Sequence, residues 1–260
     1  MRILTGIAAG AFLIALTAAA PPAEPQTTPA PSAASAGIDP TAVAAVQASA
    51  RYLQSLKSFE MRAQATMDEV VEDDLKVELT SQTRYDYAAP DRLFVDWRTD
   101  RISRRLYLDG KTVTLLAPRM GYFASVPQTG NVEATLKKAA EEYGIVMPLP
   151  DIFLWALSTT PPYPDLQRAM KVGFARIAGV DTDQYVFRQA DVDWQVWIQR
   201  GDQPLPRKVV ISDRTNPARP KFSALLAWNL NPTLPADQFT FTPPAGTAPI
   251  EIGRITEAGQ

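Results

Sequence analysis

Two clusters of charged side chains contain the residues of this chain whose types and spacing could support chemistry. The first is a run of carboxylates at Asp68, Glu69, Glu72, Asp73 and Asp74. Carboxylate oxygens bind hard cations such as Ca²⁺, but this run lacks the glycine and the ligand periodicity of a calcium-binding loop. We therefore interpret it as a solvated acidic turn at the end of a predicted hairpin.

The second cluster consists of four arginines, Arg98, Arg101, Arg104 and Arg105. Guanidinium groups bind phosphates and other oxyanions, so this cluster could hold a phosphate or an acidic lipid headgroup. The alternative is that these are exposed arginines at the ends of strands, which keep the protein soluble. The sequence favours this second interpretation.

The chain contains no histidine and no cysteine. This excludes catalytic triads built on histidine, imidazole-bound zinc and the usual general base at neutral pH. It also excludes disulfides, iron–sulfur clusters, thiolate catalysis and lipid attachment through an N-terminal cysteine. A hydrolase that uses only carboxylates is not indicated, because no two acids are placed where burial would separate their pKa values. The sequence predicts a protein that is not an enzyme, with no metal and no cofactor.

The composition is that of a globular protein with a sizeable core, with 46% apolar and 21% charged residues among 260. A formal net charge of -2 and a pI of about 5.3 give no electrostatic basis for binding nucleic acid. Nor do they give one for binding an anionic membrane surface.

The first 19 residues have the composition of a secretory signal peptide. Met1 and Arg2 precede an apolar run over residues 3–16, and small residues then lead to Pro21. The run is short for a membrane span, so we expect cleavage after Ala19, with an uncleaved anchor as the alternative. Residues 20–38 are predicted to be a flexible Pro/Ala-rich linker, residues 39–252 the folded domain, and residues 253–260 a disordered tail.

Apolar residues at every second position predict about eleven short antiparallel strands. The strands are expected at residues 59–71, 76–87, 92–98, 106–108, 112–116, 121–126, 172–177, 185–189, 194–199, 206–212 and 222–230. Asp109-Gly110 is a strong hairpin signal between the fourth and fifth. Residues 200–204 form a second turn between neighbouring strands.

Three helices are expected beside these strands. Asp39 followed by Pro40 predicts the start of a helix, with Asp39 as its cap and Pro40 at the first helical position. The predicted apolar face of this helix consists of Val43, Val46, Ala50, Leu53 and Leu56. A second helix runs from Asn131 to a stop at Gly144, with Val132, Leu136, Ala139, Ala140 and Tyr143 on one face. A third, over residues 152–157, is apolar on all sides. The last two can only lie over the sheet or cap its opening.

Three stretches of the chain resemble the LolA/LolB-like superfamily of periplasmic lipoprotein carriers. They are residues 56–59, residues 89–94 together with 108–112, and the most specific, DQFTFTPPAG at residues 237–246. The resemblance covers residues 39–252 and is greatest to a branch of that superfamily described as predicted periplasmic proteins. It implies a mainly β, α+β fold: an open antiparallel half-barrel of about eleven strands covered by lid helices.

Members of this superfamily hold acyl chains of lipids or lipoproteins in a hydrophobic cavity. In the well-studied carriers, an arginine precedes the proline of the turn between the second and third strands and helps to hold the lid closed. Here that position is Ala89, before Pro90, and neither Arg84 nor Arg92 matches it. The opening mechanism of the family therefore does not carry over to this chain.

We expect an acyl chain to contact aromatic and aliphatic side chains of the strands and of the third helix, although these positions could equally be plain core. The residues predicted to bind lipid are Val77, Leu79, Tyr85, Leu93, Val95, Trp97, Phe153, Leu154, Trp155, Leu157, Tyr185, Phe187, Trp194, Val196, Leu226 and Trp228. The sequence leaves open which face of each strand points into the cavity.

The sequence thus predicts a periplasmic monomer that binds an acylated lipid or lipoprotein for transport between membranes, a role in outer-membrane biogenesis. Transient membrane contact and an envelope protein partner are expected. An acyl chain of ~16 carbons gains about 12 kcal/mol on leaving water, at roughly 0.8 kcal/mol per CH₂, so shielding it needs no polar site. The alternative is a regulatory or envelope-stress sensor domain of the same fold that recognises a protein or lipid signal.

Overall fold

The computed structural model describes residues 37–149 and 165–254, all of which belong to one compact unit. In chain order the elements are α1 (Pro40–Ser55), β1 (Ser58–Val70), β2 (Lys76–Ala88), β3 (Arg92–Thr99), β4 (Ser103–Asp109), β5 (Thr112–Ala117), β6 (Tyr122–Pro127), α2 (Val132–Tyr143), β7 (Arg168–Ile177), β8 (Val180–Arg188), β9 (Val192–Gln199), β10 (Pro206–Asp213), β11 (Lys221–Asn229) and β12 (Ala248–Pro249). Short 3₁₀ turns lie at Glu72–Asp74 and Ala236–Phe239. Neither of the described helices is long and apolar enough to cross a membrane.

All of these strands form one sheet, in the order β12-β6-β5-β4-β3-β2-β1-β11-β10-β9-β8-β7. Neighbouring strands are antiparallel except for β12, which pairs in parallel with β6. The sheet is open, with β12 and β7 at its two ends. This confirms the predicted open antiparallel half-barrel. The strand beyond the eleven predicted is β12, whose two residues are too few to show an alternating pattern.

The register of the strands separates an inner from an outer face of the sheet. Met61, Tyr85 and Val95 lie directly opposite one another on β1, β2 and β3, and all three are buried. The same row continues through Leu106 on β4 to Leu115 on β5. Because side chains of directly opposite residues point to the same side, this row defines the inner face, which carries most of the hydrophobic core.

Helix α1 begins where the sequence predicts. The Asp39 side chain accepts a hydrogen bond from the backbone N–H of Thr41 at 2.8 Å, and Pro40 occupies the first helical position. The helix contacts β7 and β9, and its buried residues are Ala42, Val46, Ser49 and Leu53. The predicted apolar face is therefore correct at Val46 and Leu53, while Val43, Ala50 and Leu56 are only half-buried.

Helix α2 is also bounded as predicted. The Asn131 side chain accepts a hydrogen bond from the N–H of Ala134 at 2.9 Å, and the helix ends at Gly144, whose φ of 64° is left-handed. The chain then continues over the inner face through residues 144–149, which form neither helix nor strand and which we call the covering segment. The third helix predicted from the sequence, at residues 152–157, lies outside the described residues.

The stretch at residues 237–246, which carries the family resemblance, lies on the outer face. Phe239 is buried there, and the ring of Phe241 lies 5.3 Å from that of Tyr107 and 4.8 Å from that of Phe123. The Gln238 side chain donates a hydrogen bond of 2.7 Å to the carboxylate of Asp86. These contacts give the most specific motif of the chain a structural role, because it covers the apolar part of the outer face.

Candidate functional site

A cavity of about 180 Å³ lies between the inner face of β3–β5 and the covering segment. The strands contribute Val95, Trp97, Leu106 and Leu115, with Arg104 beside them. The covering segment contributes residues 144–147. The side chains of this lining are apolar except that of Arg104, which is charged.

Strand pairing brings these side chains together from different strands. Trp97 lies opposite Arg104, Val95 opposite Leu106, and Leu106 opposite Leu115. Val95 and Leu106 are buried, whereas Trp97 and Leu115 are half-buried. On the other side of the cavity, Val146 is 63% exposed. The cavity therefore opens to solvent between the strands and the covering segment.

The covering segment is held against the sheet by apolar and polar contacts. Ile145, Met147 and Leu149 alternate along it and are buried. The hydroxyl of Tyr85, which is itself fully buried, donates a hydrogen bond of 2.8 Å to the carbonyl of Pro148. Burial raises the pKa of the Tyr85 phenol well above its usual value, so the hydroxyl stays protonated and remains a donor.

The size of the cavity limits what it holds in this arrangement. An apolar cavity of about 150 Å³ accepts a benzene molecule, so 180 Å³ corresponds to roughly six carbon atoms. Pockets for larger ligands usually begin at about 300 Å³. A long acyl chain would therefore need the covering segment to move away from the inner face.

Of the residues predicted to bind lipid, Val95 and Trp97 line this cavity, and Tyr85 is bonded to its covering segment. Leu93 is buried in the neighbouring row. Val77 and Leu79 lie near the β1–β2 turn, where Val77 is exposed, and they do not line the cavity. The residues Phe153, Leu154, Trp155 and Leu157 lie outside the described part of the chain.

The remaining predicted residues occupy the other half of the inner face. Tyr185, Phe187, Trp194, Val196 and Leu226 are buried there and belong to the same core as α1, and Trp228 is half-buried. The rings of Phe187 and Trp194 stack at 3.9 Å. These residues therefore lie in a packed region of the core. Their contact with a ligand stays a prediction.

Four residues that line the cavity were not among those predicted to bind lipid: Leu106, Leu115, Ile145 and Met147. Leu106 and Leu115 were assigned to strands, but their position beside Val95 depends on the pairing of β3, β4 and β5. The covering segment could have been predicted to pack against the core, because apolar residues stand at every second position. Ile145, Met147 and Leu149 are buried, and they alternate with exposed or half-buried neighbours.

Two carboxylates of the acidic cluster, Asp68 and Glu69, are paired with neighbouring cations. Asp68 lies 3.1 Å from the Lys76 ammonium and accepts a hydrogen bond from the N–H of Lys221. The hydrogen bond from Lys76 is the main cause of a lowered pKa for Asp68. Glu69 pairs with Arg101 at 2.7 Å. Among the residues that the structure describes, no group of three or more carboxylates is arranged to hold a metal ion.

Two shallow grooves lie on the outer face, with volumes of about 380 and 430 Å³. Polar side chains line most of both, and Gln64 and Gln82 belong to both. The arginines of the first groove are paired with carboxylates, as Arg84 is with Asp86 at 3.0 Å. These grooves are larger in volume than the inner cavity, but they are open and polar, so the inner cavity is the better candidate for an apolar ligand.

Residues 42–253 match the family described as "Predicted periplasmic protein (DUF2092)". The chain belongs to this family. Its location is therefore the periplasm, as the sequence predicts, although the predicted signal peptide lies outside the described residues. The match also confirms the predicted resemblance to a branch of predicted periplasmic proteins. No curated protein is detectably similar to the chain.

Several solved structures are similar to the chain at low identity. LprF from Mycobacterium bovis is 12% identical, with a TM-score of 0.45, over 76% of this chain and 98% of that one. MucB is 14% identical, with a TM-score of 0.44, over 78% of this chain and 64% of that one. The LolA superfamily protein NE2245 from Nitrosomonas europaea is 9% identical, with a TM-score of 0.36, over 77% of this chain and 97% of that one. Similarities this distant do not fix a ligand, so the function has to follow from the site itself.

Proposed function

We propose that this periplasmic protein is a non-enzymatic binding protein that holds an acyl chain of a lipid or lipoprotein and carries it between membranes. The observation that supports this most is the apolar cavity beneath the covering segment, which opens to solvent beside Trp97 and Val146. An acyl chain needs such a shielded apolar surface and little else. The lack of histidine and cysteine in the chain also favours binding over catalysis.

The energetics indicate how the closed cavity relates to a long chain. A stretch of about six carbons gains roughly 5 kcal/mol on burial, against about 12 kcal/mol for ~16 carbons. The closed cavity therefore captures less than half of the available free energy. If the covering segment moved aside, an acyl chain could replace Ile145, Met147 and Leu149 against the inner face. Such an exchange keeps the buried apolar area nearly constant, so its net free-energy cost is small.

The proposal is tested by filling the cavity. Leu115→Trp places a larger side chain at a half-buried position of the lining, so the affinity for a fluorescent fatty acid should fall about tenfold or more. The matched control is Leu225→Trp on the outer face, where Leu225 is 43% exposed and lies opposite Gln64. This control should bind the fatty acid as the parent does, and both variants should keep a cooperative thermal transition. Equal binding by the parent and both variants would show that the protein does not use this cavity.

The sensor function is a second candidate, and one feature favours it. Strand β7 ends the sheet, and residues 37–39 cover only its beginning, through a bridge between Ile38 and Ala169 and a hydrogen bond from the Lys171 N–H to Asp39. Farther along, Val172 and Phe174 are exposed. An apolar edge of this kind can pair with an extended peptide.

The two candidate functions predict different effects of the cavity-filling variant Leu115→Trp in a deletion strain. A carrier with Leu115→Trp should fail to complement a deletion strain, because the variant can no longer hold its cargo. A sensor that acts through β7 should still complement the strain with the same variant. Lipid found by mass spectrometry in protein purified from the periplasm would favour the carrier.

A further inference from the structure

Arg104 differs from the other three arginines that the sequence groups with it. Each of those has a carboxylate partner: Arg98 with Asp96 at 2.7 Å, Arg101 with Glu69 at 2.7 Å, and Arg105 with Asp96 at 3.6 Å. Arg104 forms no ion pair with any residue that the structure describes. It is also the member of the group that lines the apolar cavity.

The side chain of Arg104 points to the inner face because Arg104 lies directly opposite Trp97. One guanidinium nitrogen donates a hydrogen bond of 3.0 Å to the carbonyl of Ser103, and the other terminal nitrogen lies 3.8 Å from the sulfur of Met120. A thioether is a weak acceptor, and a guanidinium has more N–H donors than these contacts use. Donors of Arg104 are therefore left for a ligand.

The surroundings of Arg104 suit one kind of ligand. Trp97, Leu106 and Leu115 provide apolar surface on one side, while Met120 and Val146 on the other are exposed to solvent. A molecule with an apolar chain and a negatively charged end matches this gradient, because its charge would stay close to water. A guanidinium binds carboxylate and phosphate oxygens through paired hydrogen bonds.

We propose that Arg104 binds the anionic oxygen group of an amphiphile whose alkyl chain enters the cavity. The shared chemistry is an oxyanion attached to a chain, either the carboxylate of a fatty acid or a phosphate monoester. This assignment rests on the proposed function, since it gives a headgroup contact to the same acyl-chain site. It makes Arg104 a determinant of specificity between charged and uncharged lipids.

The test compares three ligands with the same chain: dodecanoate, dodecyl phosphate and dodecanol. Their affinities are measured by competition with a fluorescent fatty acid for the parent, Arg104→Met and Arg98→Met. Arg104→Met keeps the apolar stem of the side chain and removes the charge. The control Arg98→Met removes an arginine from the outer face, where Arg98 is paired with Asp96.

The parent should bind at least one of the two anions about tenfold or more tightly than dodecanol, and the anion that binds more tightly identifies the headgroup class. Arg104→Met should lose this preference and bind dodecanol unchanged, whereas Arg98→Met should bind all three ligands as the parent does. Added salt should weaken the binding of the preferred anion to the parent but not that of dodecanol.

Two results would overturn the assignment in different ways. If Arg104→Met folds and keeps the parent's preference for anions, Arg104 is not the headgroup contact, and the acyl-chain site still stands. If the parent binds none of the three ligands, the proposed function fails together with the assignment. Arg104→Lys provides a further check, since a restored positive charge should recover part of the anion preference.

Discussion

The hydrogen bond from Tyr85 to Pro148 is a polar contact between the sheet and the covering segment, and removing it should loosen that segment. The Tyr85 hydroxyl lies 2.8 Å from the Pro148 carbonyl, and the residue is fully buried on the inner face. Tyr85→Phe keeps the ring that fills this part of the core. The substitution therefore removes the hydrogen bond with little change in packing.

The size of the effect follows from the environment of the two groups. A neutral hydrogen bond contributes about 1 kcal/mol net, because water replaces it when the partners separate. Pro148 is half-buried, so its carbonyl regains water as soon as the covering segment opens. A loss of about 1 kcal/mol in the closed state raises the population of the open state about fivefold.

Hydrogen exchange measures this population directly. Ile145, Val146, Met147 and Leu149 carry exchangeable amides, and Pro148 has none. In Tyr85→Phe the amides of the buried Ile145, Met147 and Leu149 should exchange about fivefold faster than in the parent, while amides in the middle of β1 keep their protection. Binding of a fluorescent fatty acid should also become faster, because the site is open for a larger fraction of the time.

Tyr87→Phe is the matched control for this measurement. Tyr87 lies on the same strand and the same face, is buried, and packs its ring 5.0 Å from that of Phe59. Its hydroxyl forms no hydrogen bond with any described residue. Exchange at residues 145–149 should therefore match the parent. If Tyr85→Phe and Tyr87→Phe both leave this exchange unchanged, apolar burial alone holds the covering segment, and the reasoning about the hydrogen bond is wrong.

Two further predictions concern stability. Asp193 accepts hydrogen bonds from Arg188 at 2.7 and 2.9 Å and from Arg219 at 2.8 Å, so Asp193→Asn should lower the free energy of unfolding at pH 7 by about 2 kcal/mol, as measured by urea denaturation. The hydrogen bonds from Arg188 are the main reason why the pKa of Asp193 lies below its ordinary value of 3.8. This contribution is complete above pH 3.8 and is lost as the pH falls through the folded-state pKa, so the difference between parent and variant should shrink below pH 3.8. Leu108→Ala empties a fully buried position between β3 and β5 and should cost about 3 kcal/mol, again by urea denaturation, while leaving the lining of the cavity in place.

Each of these two predictions has a result that would contradict it. A difference for Asp193→Asn that stays constant from pH 7 to pH 3 would mean that the carboxylate charge contributes nothing to folding. A loss of less than about 1 kcal/mol for Leu108→Ala would mean that the neighbouring strands collapse into the space that the leucine leaves.

The sheet could be predicted from the sequence because its strands are local patterns. Alternation along β1 and β2 and the Asp109-Gly110 turn identify strands without knowledge of their neighbours. The helix boundaries at Asp39 and Gly144 are equally local, since a capping side chain and a left-handed glycine act within one turn. Twelve strands were found where about eleven were expected, since β12 pairs with β6 through only two residues.

The candidate site could be predicted only in part, because its residues meet through the register between strands. Arg104 and Arg105 are adjacent in the sequence, yet one lines the inner cavity and the other pairs with Asp96 on the outer face. Alternation shows that the two side chains point to opposite sides, but it does not show which side is apolar. That follows from the pairing of Arg104 with Trp97, which no local pattern contains.

Residue 89 stands where the carriers that the chain resembles have the arginine that helps to hold the lid closed. In this chain a different residue of β2 bonds to the covering segment. Ala89 is exposed at the turn between β2 and β3, and its methyl side chain has no hydrogen-bonding group to offer the covering segment. Tyr85, four positions earlier on β2, donates the hydrogen bond to Pro148 instead. A phenol costs less free energy to bury than a guanidinium, because it carries no charge. The covering segment is therefore bonded to the sheet without burying a cation, and in the headgroup proposal made above the cation at the cavity's edge, Arg104, binds the ligand instead.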